Sequence, residues 1–319
     1  MYYFCTYFDR NYLYKGLALY RSLIRHSNPF VLWILCFDDV TYNILSTMNL
    51  SNVRLVKQEE FERNDEQLQI AKQNRSQVEY YWTCTPSWIL YVLTHNPEID
   101  ILTYLDADLY FYSTPSPIYE EFNEHSILIV EHRYAPEYAQ LTKFGIYNVS
   151  FLCFRRDYNG LSCLYWWRDR CLEWCYKRLE GDKFGDQKYL NDWPSRFQNV
   201  IVLQHKGAGL APWNILNYQI SRQGDQVFVD SDPLIFYHFH SFHILNEWLY
   251  EVAMYPYRLD SISKALIYAP YIVELRSIMA NVRKIMPEFN YGYSRCELRT
   301  LIGLLLRRNI MFALGSRVF

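Results

Sequence analysis

Two aspartates one residue apart, Asp106 and Asp108, interrupt the apolar run ILTYLDADLYF at residues 101–111. Carboxylates this close, one of them aimed past a strand end, can hold a hard divalent cation that also contacts two phosphate oxygens. Such a cation acts as a Lewis acid on a departing diphosphate. The chain carries its own control, because Asp230-Ser231-Asp232 has the same spacing but precedes Pro233 and reads as a turn between strands. A third ligand must come from elsewhere. The strand-like PLIFYHFH at 233–240 offers His238 and His240, which alternation puts on one face, with His243 just beyond. The bland reading, histidines satisfied within a core, stays open beside it.

The elements around these residues repeat as strand, turn and helix. A strand over 2–8 leads through a polar turn at Asp9–Asn11 into the amphipathic run YLYKGLALYRSLIRH, and strands at 31–37 and 52–56 flank a helix ending near residue 48. Three such repeats in under sixty residues predict a parallel α/β sheet. Residues 59–75 are polar and predict an exposed helix or connection; a helix follows over 82–93, and the aspartate pair then breaks a strand spanning 100–113. Buried strands are predicted at 127–132 and 147–156, and a tryptophan-rich helix over 161–180 closes at Gly181. A loop and helix over 184–193 and strands at 199–204, 227–230 and 233–240 come next, and the chain beyond residue 245 reads as mainly helical. The fold class is α/β, with a catalytic domain over 1–245 and a helical C-terminal extension over 246–319.

Composition narrows the function. Half of the 319 residues are hydrophobic, enough for a substantial core, and 30 tyrosines and 9 tryptophans supply surfaces that stack on sugars and bases as well as filling the interior. A net charge of −2 gives no global field for nucleic acid. Eight cysteines show no paired spacing and read as reduced thiols. The opening MYYFCTYF has no basic leader and no small-residue cleavage site, no uncharged stretch is long enough to span a bilayer, and a cytoplasmic protein is expected. The Asn-x-Ser triplets at Asn49, Asn74 and Asn148 are then chance matches.

Five segments, in order over residues 2–243, resemble GT-A-fold glycosyltransferases, particularly the family 8 group that includes glycogenin and bacterial lipopolysaccharide galactosyl- and glucosyltransferases. They are YFCTYFDRNYLYKGLALYRSL, YLDADLYFYSTP, FGIYNVSFLCF, FGDQKYLND and FYHFHSF. The resemblance implies a Rossmann-like nucleotide-diphospho-sugar transferase domain that uses Mn2+ or Mg2+ with a UDP-sugar donor. It implies that Asp106, Asp108 and His238 bind the metal, and that Thr6, Tyr7 and Asp9 line the uridine pocket. Asn148, Asp186 and Gln187 would meet donor sugar or acceptor, with Gln187 near the anomeric carbon; against this, Asp186 reads on its own as a helix N-cap. The late motif departs from the pattern, because the family's diphosphate-touching lysine is missing after His240-Ser241-Phe242-His243. Lys206, in the glycine-bearing loop HKGAGLAPWN, is a candidate by chemistry alone, against a surface lysine beside a turn. Where the family often carries a donor-binding Arg this chain has EYYWTCTPSW, with Arg75 nearby but not aligned.

Residues 271–319 carry eight Lys or Arg against three acids, so the tail is +5 and the remainder −7. The segment 294–319 pairs apolar runs with Arg299, Arg307, Arg308 and Arg317, the composition either of a helix in a lipid headgroup layer or of a terminal helix docked on the domain. The resemblance favours the membrane, where a glycan or glycolipid acceptor would be met and the protein would sit peripherally on the cytoplasmic face. Two other functions fit parts of the pattern. A sugar nucleotidyltransferase would carry a Gly-rich phosphate loop after the first strand, absent from CTYFDRNY, and a noncatalytic carbohydrate-binding protein would not need Asp106 and Asp108 together.

Overall fold

The computed structural model describes residues 1–294, 309–314 and 317–319. Its centre is a seven-stranded sheet. Strands β1 (Tyr2–Phe8), β2 (Phe30–Cys36) and β3 (Val53–Lys57) run parallel, joined by helices α1 (Leu13–His26) and α2 (Asp39–Met48). Strand β4 (Ile101–Leu105) lies parallel to β1 on its other side. The sheet then reverses: β7 (Tyr147–Arg155) is antiparallel to both β4 and β6 (Ile127–Glu131), and β8 (Val200–Val202) closes the edge parallel to β6. The short β5 (Leu109–Phe111) leaves the main sheet to pair antiparallel with Phe236–His238.

Alternation along the strands divides the core in two. Phe4, Phe8, Leu32 and Ile34 face α1 and the C-terminal helix Ala269–Ile285, while Cys5, Trp33 and Leu35 face the helices Gln77–His95 and Tyr158–Glu173. Gly16 lets α1 lie directly on β1, since a β-carbon there would sit 2.4 Å from the Phe8 ring. The described cysteines are all buried and unbridged.

Several predicted elements differ in extent. The polar stretch 59–75 is two short helices, Gln58–Glu62 and Glu66–Asn74, pinned by buried Phe61, Leu68 and Ala71. The helix predicted over 82–93 begins earlier, at Gln77, behind a Ser76–Glu79 capping box, and runs to His95. The tryptophan-rich helix stops at Glu173, because Trp174 turns extended and the Lys177 amide donates to Glu79 (2.8 Å) on a distant helix. Residues 187–192 form a 3-10 turn in place of a full helix.

Beyond residue 245 the helical expectation holds over Ser261–Ile285 but gives way to strands at Leu249–Glu251, Ile310–Leu314 and Arg317–Val318, which join His243–Ile244 in a four-stranded antiparallel sheet. Most of the predicted membrane-facing helix at 294–319 lies outside the described residues. Where the segment is described it is not helical: Met311 and Ala313 are buried while Phe312 and Leu314 are exposed, the two-residue alternation of a strand. Among the described residues no helix is long and apolar enough to cross a membrane.

Candidate active site

Parallel strands β1 and β4 end at the same edge of the sheet, so Asp9 and Asp106, the first residues past their ends, emerge side by side with Asp38 after β2. Strand β7 runs the other way and brings its beginning, with Asn148, to the same edge. The Asp106 amide donates to the Ser150 carbonyl (2.9 Å), and the Leu109 amide closes a tight turn on the Asp106 carbonyl (3.1 Å). That turn swings Asp108 under Phe236–His238, where the Phe239 amide donates to the Asp108 carbonyl (2.9 Å).

Asp106, Asp108 and His238 meet there, with one ligand atom from each lying within 4.8 Å of the others. His238 Nε2 is 3.1 Å from Asp108 Oδ1 and 3.8 Å from Asp106 Oδ2. Two carboxylates and one imidazole at this spacing could hold a divalent metal ion. Asp108 and His238 side chains are under 10 % exposed against 31 % for Asp106, so the opening lies on the Asp106 side. The Tyr104 hydroxyl donates to Asp106 Oδ1 (2.8 Å) and orients it.

Burial dominates the electrostatics. It pushes the Asp106 carboxyl up to about 6, with Asp108 adding to the rise and His238 opposing it. Burial also raises Asp108, but His238 and Lys15 outweigh that and hold it below the ordinary carboxylate range. For His238 burial disfavours the proton, yet the two aspartates win and its pKa is raised. His240 is exposed just past the end of the strand and stands edge-on to Trp213, with ring centres 5.2 Å apart. His243 has turned away and pairs with Glu251 (2.9 Å).

The other predicted residues form two groups along this edge. Asp9 accepts from the Asn11 amide (2.9 Å) and the Tyr81 hydroxyl (3.2 Å), and Tyr81 stacks on Phe37 with ring centres 4.1 Å apart. The Thr6 hydroxyl is buried with no hydrogen-bond partner, and Tyr7 hydrogen-bonds Thr85 (2.9 Å). Thr85 in turn donates to Asp186 Oδ2 (3.1 Å), linking the two groups. Burial lifts the Asp186 carboxyl to about 7, with Asp106 the next contributor, and its side chain caps no helix. Gln187 donates to the Phe144 carbonyl (3.0 Å), and Asn148 accepts from the Ser150 amide (2.6 Å).

Lys206 stands apart from these contacts. Its loop runs alongside Phe236–His238, but Gly207 lies beside Ile235 and only Leu210 reaches His238, so Lys206 falls at the far end and donates to Asp230 (2.8 Å). Asp230 itself occupies the turn of a hairpin, as its control motif predicted. Arg75 bonds the Cys171 and Leu172 carbonyls on the opposite face. A cation not singled out from sequence takes the inner position: Lys15, buried on α1, has its ammonium 3.8 Å from Asp108 Oδ2 and 4.3 Å from the Tyr12 ring centre. A signal existed, since Lys15 is the one charged residue in the otherwise uncharged run LYKGLALY.

No protein-family model matches the chain. Two proteins of Bacillus subtilis (strain 168) are similar to it: the uncharacterized protein YfnD, 31% identical over 296 residues (92% of this chain, 94% of YfnD), and the uncharacterized protein YfnF, 33% identical over 295 residues (90% and 96%). Among solved structures, the galactosyltransferase LgtC, crystallised with donor and acceptor sugar analogues, superposes with a TM-score of 0.54 over 86% of this chain and 95% of that one, at 13% identity. At that identity the likeness is one of fold, and it establishes the GT-A fold.

Proposed function

The chain belongs to the family of Bacillus subtilis YfnD and YfnF, and we propose that it is a metal-dependent glycosyltransferase of the family 8 type, passing a hexose from a UDP-sugar to a surface-glycan or glycolipid acceptor with retention of configuration. The observation that carries the reading is the convergence of Asp106, Asp108 and His238 at the carboxyl end of a central parallel strand, where open α/β sheets place their ligands. The fold shared with the galactosyltransferase LgtC supports the same reaction class.

A divalent cation held by these three side chains, Mn2+ or Mg2+, supplies Lewis-acid stabilisation of a leaving diphosphate. Tyr104 holds Asp106 in register for that task. Asp9, Thr6 and Tyr7, walled by the Tyr81–Phe37 stack, bind the uridine. Asp186, Gln187 and Asn148 line the same edge further along β7 and orient the donor sugar or the acceptor hydroxyl. The basic tail brings the enzyme to an anionic membrane surface, each arginine contributing about 1 kcal/mol near the headgroups. Replacing Arg299, Arg307 and Arg308 with Gln then abolishes sedimentation with anionic vesicles, and unchanged sedimentation removes the membrane from the account.

The testing experiment is nucleotide release from a panel of UDP-, GDP- and TDP-sugars, with and without Mn2+, by wild type and Asp108→Asn. Release from one UDP-sugar, lost with chelator and in the variant, supports the reading. Pyrophosphate release from a nucleoside triphosphate and a sugar phosphate would replace it with nucleotidyl transfer, and carbohydrate binding indifferent to metal and nucleotide would replace it with a noncatalytic role.

A further inference from the structure

We propose that Lys15 is the diphosphate-binding cation of this site, a reading that rests on the metal-dependent nucleotide-sugar binding proposed above. An ammonium has three donors and is costly to bury unless they are used. Lys15 is 7% exposed, yet its one carboxylate neighbour, Asp108 Oδ2, is 3.8 Å away, beyond a full hydrogen bond, and its other contact is the face of Tyr12. The side chain is therefore under-used in the state described.

Its position is unfavourable for a site that binds only a cation. A fixed positive charge beside a ligand oxygen repels the incoming ion. With the ion bound, the two carboxylates are neutralised and Lys15 leaves the centre with a net charge of about +1. An anion arriving with the metal restores the balance, and a diphosphate bridging ion and ammonium does so at two oxygens. A second feature points the same way. Lys15 lies in the first turn of α1, a helix of 14 residues with no side-chain cap, whose leading amides lack intrahelical partners at the edge where β1 ends. The ammonium and the metal ligands thus meet beside the start of α1. Lys206, paired with Asp230 at the other end of its loop, leaves this role open.

The test is calorimetric titration of the full chain with Mn2+ alone, then with UDP or uridine in saturating Mn2+, for wild type, Lys15→Gln and Lys15→Arg. In Lys15→Gln we expect Mn2+ affinity unchanged or a few-fold tighter, UDP affinity at least about tenfold weaker, and uridine affinity unchanged. Lys15→Arg keeps most of the UDP affinity. Wild-type UDP affinity in Lys15→Gln, or equal losses for UDP and uridine, overturns the proposal. A crystal structure of the wild type with Mn2+ and UDP decides the matter if Lys15→Gln does not fold: the ammonium should lie about 3 Å from a phosphate oxygen, and a separation beyond about 5 Å overturns it. Failure of the underlying reading looks different, since the wild type itself would then bind no UDP in the presence of Mn2+.

Discussion

Metal binding at the triad should weaken steeply in acid. Burial and the neighbouring Asp108 lift the Asp106 carboxyl to about 6, and His238 is also raised above its ordinary value. Proton and cation compete for the same atoms, so protonation opposes binding and affinity falls as pH drops. A carboxyl that titrates near 6 is about one tenth protonated at pH 7 and nine tenths at pH 5, which costs about tenfold in apparent Mn2+ affinity across that window, and His238 adds to the loss. The assay is calorimetric titration of Mn2+ without nucleotide at pH 7, 6 and 5, in two buffers of different ionisation enthalpy so that released protons are counted. Asp106→Asn should bind more weakly and show a shallower pH dependence. An affinity constant within about twofold from pH 7 to 5, with no proton released at pH 6, would refute the electrostatic reasoning.

Other predictions follow from the same contacts. Asp186 titrates near 7 when folded and near its ordinary value of about 4 when unfolded, so its ionisation destabilises the fold above pH 7 by up to about 4 kcal/mol, and the penalty shrinks progressively as pH falls from 7 towards 4. Asp186→Asn should therefore raise the metal-free melting temperature at pH 8 more than at pH 5.5, while abolishing transfer activity; a lower melting temperature at pH 8 contradicts this. Asp9→Ala should weaken UDP binding about tenfold and leave Mn2+ affinity alone, because Asp9 contacts the Tyr81 and Asn11 group and not the triad. Gly207→Ala should destabilise by more than about 2 kcal/mol in denaturant titration, since a β-carbon there would meet the Pro233 carbonyl oxygen at 1.8 Å.

The parallel half of the sheet was legible because each element carries its own period: β1 alternates between two cores, and α1 follows it across a four-residue connection. Asp106 and Asp108 were legible for a related reason, because buried strand on both sides fixes where a carboxylate pair must emerge. What failed to show was governed by distant contacts. The helix expected to reach residue 180 stops at Glu173 for a hydrogen bond from Lys177 to Glu79, and apolar periodicity continues past that point through Trp174 and Cys175. Lys206 looked suited to phosphate on local grounds, but the strand beside it sets its position, and that strand puts it against Asp230. A lysine in a helix is ordinarily solvated, and only the crossing of α1 over β5 brings Lys15 to Asp108. The terminal strand Ile310–Leu314 pairs with Leu249–Glu251, some sixty residues earlier, so its composition alone suggested a helix.

The central claim is that Asp106, Asp108 and His238 hold a divalent cation that in turn holds a nucleoside diphosphate. Its most direct test is UDP binding by wild type and Asp108→Asn, with saturating Mn2+ and with chelator. Tight binding by the wild type that falls at least about a hundredfold both on chelation and in the folded variant is the predicted result. UDP binding that is indifferent to Mn2+, or equally tight in Asp108→Asn, would contradict it.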